Sequence, residues 1–426
     1  MGRFLPTAFV AFALATAAAC FAGDNWPQFR GPTGQGVSDS TGLPATWSET
    51  QNVVWKTAIH GKSHSSPVVW GDQVWVTTAT EKGDHLSALC VDKNDGHVVF
   101  DLKLFNVATP QYAHPFNSYS SPTPAIEEGR VYITFGSPGT ACLDTSTGKV
   151  LWERRDFVCN HWRGAGSSPV IWNDLLFLPF DGADYQYVVA MNKHTGETVW
   201  KVNRGIDYQD LDPSGKPEAG GDWRKAFSTP RVVTFGDGKP VLISLGSKAL
   251  YGYEPATGKE LWRVENRKVH SGSATPVVSK DMIYINMGHG QPELWAERPG
   301  GSGVVTDTHV AWKLRGNVPT RSSVLLHDGL IYMVDDGGIA SCVDAATGKK
   351  VGSKRIGGEY SASPLLADGR IYFFSQDGKT TAIEPGREMK VVGESKLDEG
   401  FMGSPAVSGK SLILRTASHL YRIEAK

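Results

Sequence analysis

Residues 121–152 read SPTPAIEEGRVYITFGSPGTACLDTSTGKVLW, and they hold a complete four-strand module. A hydroxyl-proline start leads into a short aliphatic strand, and the Glu128-Gly129 turn returns it as Val131-Tyr132-Ile133, whose alternation is that of a strand with one face buried. A third strand ends in Cys142-Leu143-Asp144. The chain then turns through Thr147-Gly148 into a fourth strand closing on Trp152. Gly148 supplies the positive φ that a tight hairpin with a bulge needs, and Asp144 can accept hydrogen bonds from the turn backbone.

The same module recurs along the chain. A Ser/Ala-Ser/Thr-Pro start falls at Pro67, Pro122, Pro169, Pro230, Pro276, Pro364 and Pro405, with a degenerate copy at Arg321-Ser322-Ser323-Val324. The spacings of 55, 47, 61, 46, 48, 40 and 41 residues are those of four-stranded propeller blades with variable loops. Gly196, Gly258 and Gly348 repeat the turn of Gly148. The last copy, Ser404 to Glu424, has only three strands, whereas Asn52–Thr57 reads as a fourth strand ending in its own tryptophan, Trp55, ahead of the first copy. Pairing the two closes the ring and leaves no open sheet edge. The fold class is therefore all-β: an eight-bladed β-propeller of four-stranded antiparallel blades, closed by the N-terminal strand. Residues 1–22 are assigned to a signal peptide, 23–51 to an N-terminal extension and 52–426 to the propeller.

Composition agrees. Of 426 residues, 40% are hydrophobic, 20% charged and 48 are glycine, which excludes long helices and disorder. A formal charge of −1 leaves no basic footprint for nucleic acid. One arginine, Arg3, followed by an alanine-rich uncharged run to Asp24 reads as an export signal, cleaved after Ala22, with lipidation at Cys20 as the less favoured alternative. The expected location is the periplasm or cell envelope. No later segment is long and apolar enough to span a bilayer. Cys90, Cys142, Cys159 and Cys342 are expected as buried thiols, three of them in equivalent strands too far apart to pair.

A small residue at one position, Asp/Asn/Glu two later, Gly at seven and Trp at eleven resembles the tryptophan-docking motif of the quinoprotein-like (PQQ-binding-like repeat) β-propeller family. Cys142, Asp144, Gly148 and Trp152 carry it, as do Ala190, Asn192, Gly196 and Trp200, and Gly252, Glu254, Gly258 and Trp262. Phe100 replaces the tryptophan in the first blade and Gly352 in the sixth. Trp55, Trp152, Trp200, Trp262 and Trp312 are read as structural, each indole covering a neighbouring blade's turn. The chain also looks like the outer-membrane-protein assembly lipoprotein B type. Its opening, Asn25-Trp26-Pro27-Gln28-Phe29-Arg30-Gly31-Pro32, resembles that of exported single-propeller proteins with these repeats.

The first strand of each blade lines the central channel, so the loops before each Ser-Pro form one mouth. They bring His64, His114, Asn117, Tyr119, His161, Arg163, Trp223, Arg224, Lys225, His270, Arg321 and Tyr360 to it. Arginine offers bidentate carboxylate contacts and the aromatic groups a stacking face, so the set suits an anionic planar ligand or an acidic sugar. No catalytic residue and no metal ligand is assigned, because the histidines come from different blades without ligand spacing. The long irregular stretch Asn203–Lys225 is expected to be a solvated excursion rather than a lid. The main functional expectation is an exported, monomeric, non-enzymatic module that binds an envelope protein or a carbohydrate at this mouth, without a cofactor. The alternative is a quinoprotein oxidoreductase with PQQ and calcium, which the resemblance implies; the adjacent cysteine pair of that family's dehydrogenases is absent here, and their calcium ligands have no assignable counterparts. A hydrolase or lyase using the channel histidines, His114 and His161 among them, is a third reading.

Overall fold

The computed structural model describes residues 24–236 and 238–425; residues 1–22, expected to be a signal peptide, and Cys20 with them, lie outside these. Eight antiparallel sheets surround a channel. Their inner strands are Val68–Trp70, Ala125–Glu127, Val170–Trp172, Arg231–Thr234, Val277–Val278, Leu325–His327, Leu365–Ala367 and Ala406–Ser408, each hydrogen-bonded to the next strand of its own blade. Blade 8 takes its outer strand, Val53–Ala58, from the N-terminal side: Trp55 pairs with Arg422 and Thr57 with Leu420, with a bulge at Val54. Blade 4 carries one addition, a parallel two-residue strand Gly303–Val304 beside Trp262 and Arg263. Among the described residues no helix is long and apolar enough to cross a membrane.

In the second copy the sequence register is corrected by one dipeptide. The inner strand starts after Thr123-Pro124, not Ser121-Pro122. The spacings around it become 57 and 45 residues.

A belt of hydroxyls explains why Ser or Thr precedes each inner strand. The Ser404 N–H donates to Ser66 Oγ at 2.9 Å, Ser66 to Thr123 Oγ1 at 3.0 Å, Thr123 to Ser168 Oγ at 2.9 Å and Ser168 to Thr229 Oγ1 at 3.1 Å. The belt resumes with Thr275 donating to Ser323 Oγ at 2.9 Å, Ser323 to Ser363 Oγ at 3.0 Å and Ser363 to Ser404 Oγ at 2.9 Å. Seven of the eight blades thus cap a buried backbone amide of a neighbouring blade. The belt is open between blades 4 and 5, where the buried Thr275 hydroxyl has no partner.

Outer-strand packing follows the glycine turns. Trp55, Trp152, Trp200 and Trp312 lie so close to Gly96, Gly196, Gly258 and Gly348 of the next blade that a Cβ there would come within 2.6–2.7 Å of the indole. Their Nε1–H groups donate to the backbone of the same turns, at Lys93, Lys193, Pro255 and Ala345. Trp262 departs from this pattern. Blade 5 has no such turn, because residues 298–309 form a longer excursion, and Trp262 is buried against Gly252 of its own blade instead. All four described cysteines are buried free thiols.

The N-terminal extension is not peripheral. Trp26 exchanges two backbone hydrogen bonds with Val69 of blade 1, and Pro27 accepts from Ile126 of blade 2. Gln35 Oε1 accepts from Val278 N–H of blade 5, Arg30 donates to Val324 O of blade 6 at 2.8 Å, and Gly36 and Ser38 bracket Leu366 of blade 7. Residues 26–38 therefore cross the channel and plug its far end before Trp47 packs on Tyr372.

Candidate functional site

Where the inner strands begin, the loops and the plug enclose a cup of about 600 Å³. Phe29 of the plug and the belt hydroxyls Ser66, Thr123, Ser168 and Thr229 line its lower part. Of the twelve residues assigned to the mouth, six line it: His64, His114, Asn117, Arg163, His270 and Arg321.

The other six do not. Tyr119 packs its ring against Gly83 of blade 1. His161 is buried in the wall between blades 2 and 3, where its Nε2 accepts the Ser137 N–H at 3.0 Å; burial and the Lys225 charge hold it at about 3, so it is neutral. Tyr360 is fully buried in the core of blades 6 and 7. Lys225 is fully buried near Asp181 and Cys159, and burial lowers it to about 8. Trp223 stands at the rim, stacked 6.3 Å from the His270 ring, and Arg224 pairs with Asp210 at 2.6 Å. For Tyr119, His161, Lys225 and Tyr360 the physical reason is shared: a loop position one or two residues from the channel turns its side chain into the packed protein.

The ends of the 203–225 stretch are docked, whereas residues 211–216 and 218–220 are exposed, as a solvated excursion would be. Asp222 holds Arg163 in a two-pronged pair, Nε to Oδ1 at 2.6 Å and Nη2 to Oδ2 at 2.8 Å, and the Ser247 hydroxyl donates to the Trp223 carbonyl. Arg321 is placed similarly: its Nη2 lies 3.3 Å from Asp336, and its guanidinium lies 4.5 Å from the Phe116 ring centre. In both cases the carboxylate stands behind the arginine. No aspartate or glutamate among the described residues lines the cup.

His289, which lies outside the loops that the sequence singles out, also lines the cup. A two-residue ribbon pairs Val269-His270 with His289-Gly290, so the two imidazoles lie 6.3 Å apart on one wall. Gly288 and Gly290, both at positive φ, flank His289 and were the available signal for a tight return. Burial lowers the pKa of both rings; His289 lowers His270 further, while Asp336 opposes part of the shift of His289. Burial, Lys62 and Arg415 hold His64 at about 3. These three imidazoles are proton acceptors at neutral pH. His270 Nδ1 lies 2.9 Å from Ser271 Oγ, which leaves Nε2 for a ligand.

An eight-bladed propeller whose channel is stoppered below and lined with arginine, histidine and hydroxyls above has the architecture of the quinoprotein-like class. The chain belongs to the family described as outer membrane protein assembly factor BamB, which matches residues 36–178 and 184–426. Among curated proteins it is similar to tetrathionate hydrolase of Acidithiobacillus ferrooxidans, with 23% identity over 59% of this chain and 48% of that protein. It is also similar to the dehydrogenase subunit of the quinone alcohol dehydrogenase of Acetobacter aceti, with 29% identity over 50% of this chain and 28% of that one. The chain thus spans about half or less of the curated relatives it matches. Quinohemoprotein alcohol dehydrogenase from Comamonas testosteroni has the same fold, with a TM-score of 0.67, 12% identity, and 94% of this chain and 81% of that one covered. These relatives are enzymes, and two are named for a quinone. The expectations of a non-enzymatic binding module and of no cofactor are corrected accordingly.

Proposed function

We propose that the chain is an oxidoreductase of the quinoprotein type, with a planar, carboxylate-bearing quinone of the PQQ kind held in the cup. The observation that carries this reading is the donor set: two guanidiniums, neutral imidazoles and belt hydroxyls converge on one cavity that no carboxylate lines. Arg163 and Arg321 meet anionic groups, each kept in place by a carboxylate behind it, and Phe29, Phe116 and Phe227 offer apolar faces. The bound quinone supplies a two-electron acceptor. The chain's own part in chemistry is to exclude water from below through the plug and to accept the proton of a substrate hydroxyl at His270 Nε2.

The calcium of the alternative reading does not fit. A hard divalent cation needs six to eight oxygen ligands with carboxylates among them, whereas Asp222 and Asp336 are already bound to Arg163, Arg321 and Thr320. The expected result is therefore a PQQ absorbance change on titration without calcium, accompanied by dye reduction with a primary alcohol. Arg163→Gln and Arg321→Gln should each weaken PQQ about tenfold or more, since a charge-assisted bond contributes about 1.5–3 kcal/mol. A spectrum that never changes, or one that saturates identically in the double variant, overturns the reading.

The same donor set supports a second reading: a dianionic sulfur oxyanion meets no repelling carboxylate here, and one relative is a tetrathionate hydrolase. Tetrathionate consumption without PQQ separates the two. An envelope location is part of the proposal, and N-terminal sequencing of the mature protein checks it.

A further inference from the structure

We propose that the far half of the channel, beside the plug, is a second binding site that takes a small organic monocarboxylate with an apolar body. The site does not depend on what the cup holds. It is a cavity of about 410 Å³ between Pro32–Gln35 of the plug and the inner strands of blades 3 and 4, with Phe29 standing between it and the cup. Arg231 is the only cation among the described residues that line it. Its Nη1 donates to two neutral acceptors, Gln35 Oε1 at 3.3 Å and Pro276 O at 3.1 Å, and no carboxylate pairs with it among the described residues. Burial already lowers this guanidinium to about 10. A buried charge without a counter-ion is costly, and an anion in the adjoining space offsets that cost.

Two further features bear on the same cavity. Gly34 lies against Arg231, where a Cβ would come within 3.2 Å of Nε, so the plug passes the guanidinium with no side chain between them. Arg30, fully buried in the plug, lies near enough that the two guanidiniums repel each other, and the positive field they share favours an anion here. Arg231 is the one of the two that lines the cavity, so a single carboxylate meets it. Trp172, Val232 and Val233 supply apolar wall for the rest of the ligand.

The test is calorimetric titration of the full chain with 2-naphthoate, with neutral 2-naphthamide as control. The titration is run in the Arg163→Gln/Arg321→Gln background, which removes the anion-binding groups of the cup. One molecule of naphthoate should bind per chain, at least tenfold more tightly than the amide, and adding Arg231→Gln should remove that preference. Should the Arg231→Gln protein not fold, Arg231→Lys, which keeps the charge, should keep the preference for acid over amide. Absence of saturable binding, equal binding of acid and amide, or an undiminished preference in Arg231→Gln each overturns the proposal.

Discussion

Glu297 sits one residue past the bulge in the third strand of blade 5, the position that Leu143, Met191, Val343 and Ile383 hold in other blades. It is fully buried, and neither carboxyl oxygen has a partner. Burial raises it from the ordinary 4.5 to about 8, so the folded protein keeps it protonated at neutral pH. The folded state binds this proton where the unfolded chain has released it. Stability from this group is therefore fully present below pH 4.5 and falls as pH rises toward 8, by at most about 1.4 kcal/mol per unit. Urea midpoints measured at pH 5 and pH 8 should show that decline in the natural protein and a smaller one in Glu297→Leu, which should also be the more stable protein at pH 8. Nothing in Glu293-Leu294-Trp295-Ala296-Glu297 announces this residue, because an alternating strand with charged ends reads as half-exposed. Only the neighbouring blade reveals that both faces are covered.

The belt of hydroxyls is an element-level device, and two substitutions distinguish its closed and open parts. Ser404→Ala removes the acceptor of the buried Ser363 N–H and should cost about 1–3 kcal/mol, the penalty of an unsatisfied buried group. Thr275→Val replaces a buried hydroxyl that bonds nothing with a methyl group and should leave stability unchanged or raise it by about 1 kcal/mol. Thermal melting of the two variants side by side checks the contrast. Blade count, strand order and ring closure were legible at this scale because each module repeats the same period-two strands and glycine turn. The register of blade 2 was not, because Ser121-Pro122-Thr123-Pro124 offers two hydroxyl-proline starts in succession, and the choice depends on which hydroxyl meets Ser66 N–H from blade 1. Trp262 was misplaced for a related reason: its motif is intact, but the turn it would cover belongs to a blade that lacks one.

At the scale of the whole molecule the N-terminal extension joins blades that are distant in sequence. A chain beginning at residue 52 loses Trp26, Leu43 and Trp47, all nearly fully buried, together with the Arg30 bond to blade 6. Each lost tryptophan alone is comparable to a core truncation of about 3–5 kcal/mol. Its melting temperature should fall well below that of the full chain, and its cup, without Phe29, should bind PQQ more weakly. Half of the cup was legible from the loops before the inner strands. Phe29 was not, since the extension has no repeat from which a position in the ring could be read, and His289 was not, since it reaches the wall through a ribbon of two residues.

The blade that completes the ring joins Val53–Ala58 to His419–Glu424. A ribosome therefore delivers one edge of that sheet first and its neighbour last, with some 360 residues of other blades in between. During that interval the early strand has no mate, and contacts of such long sequence separation form slowly. The circle can be sealed only after His419–Glu424 has been made, so any part of the polypeptide translocated before then travels with its last blade unformed.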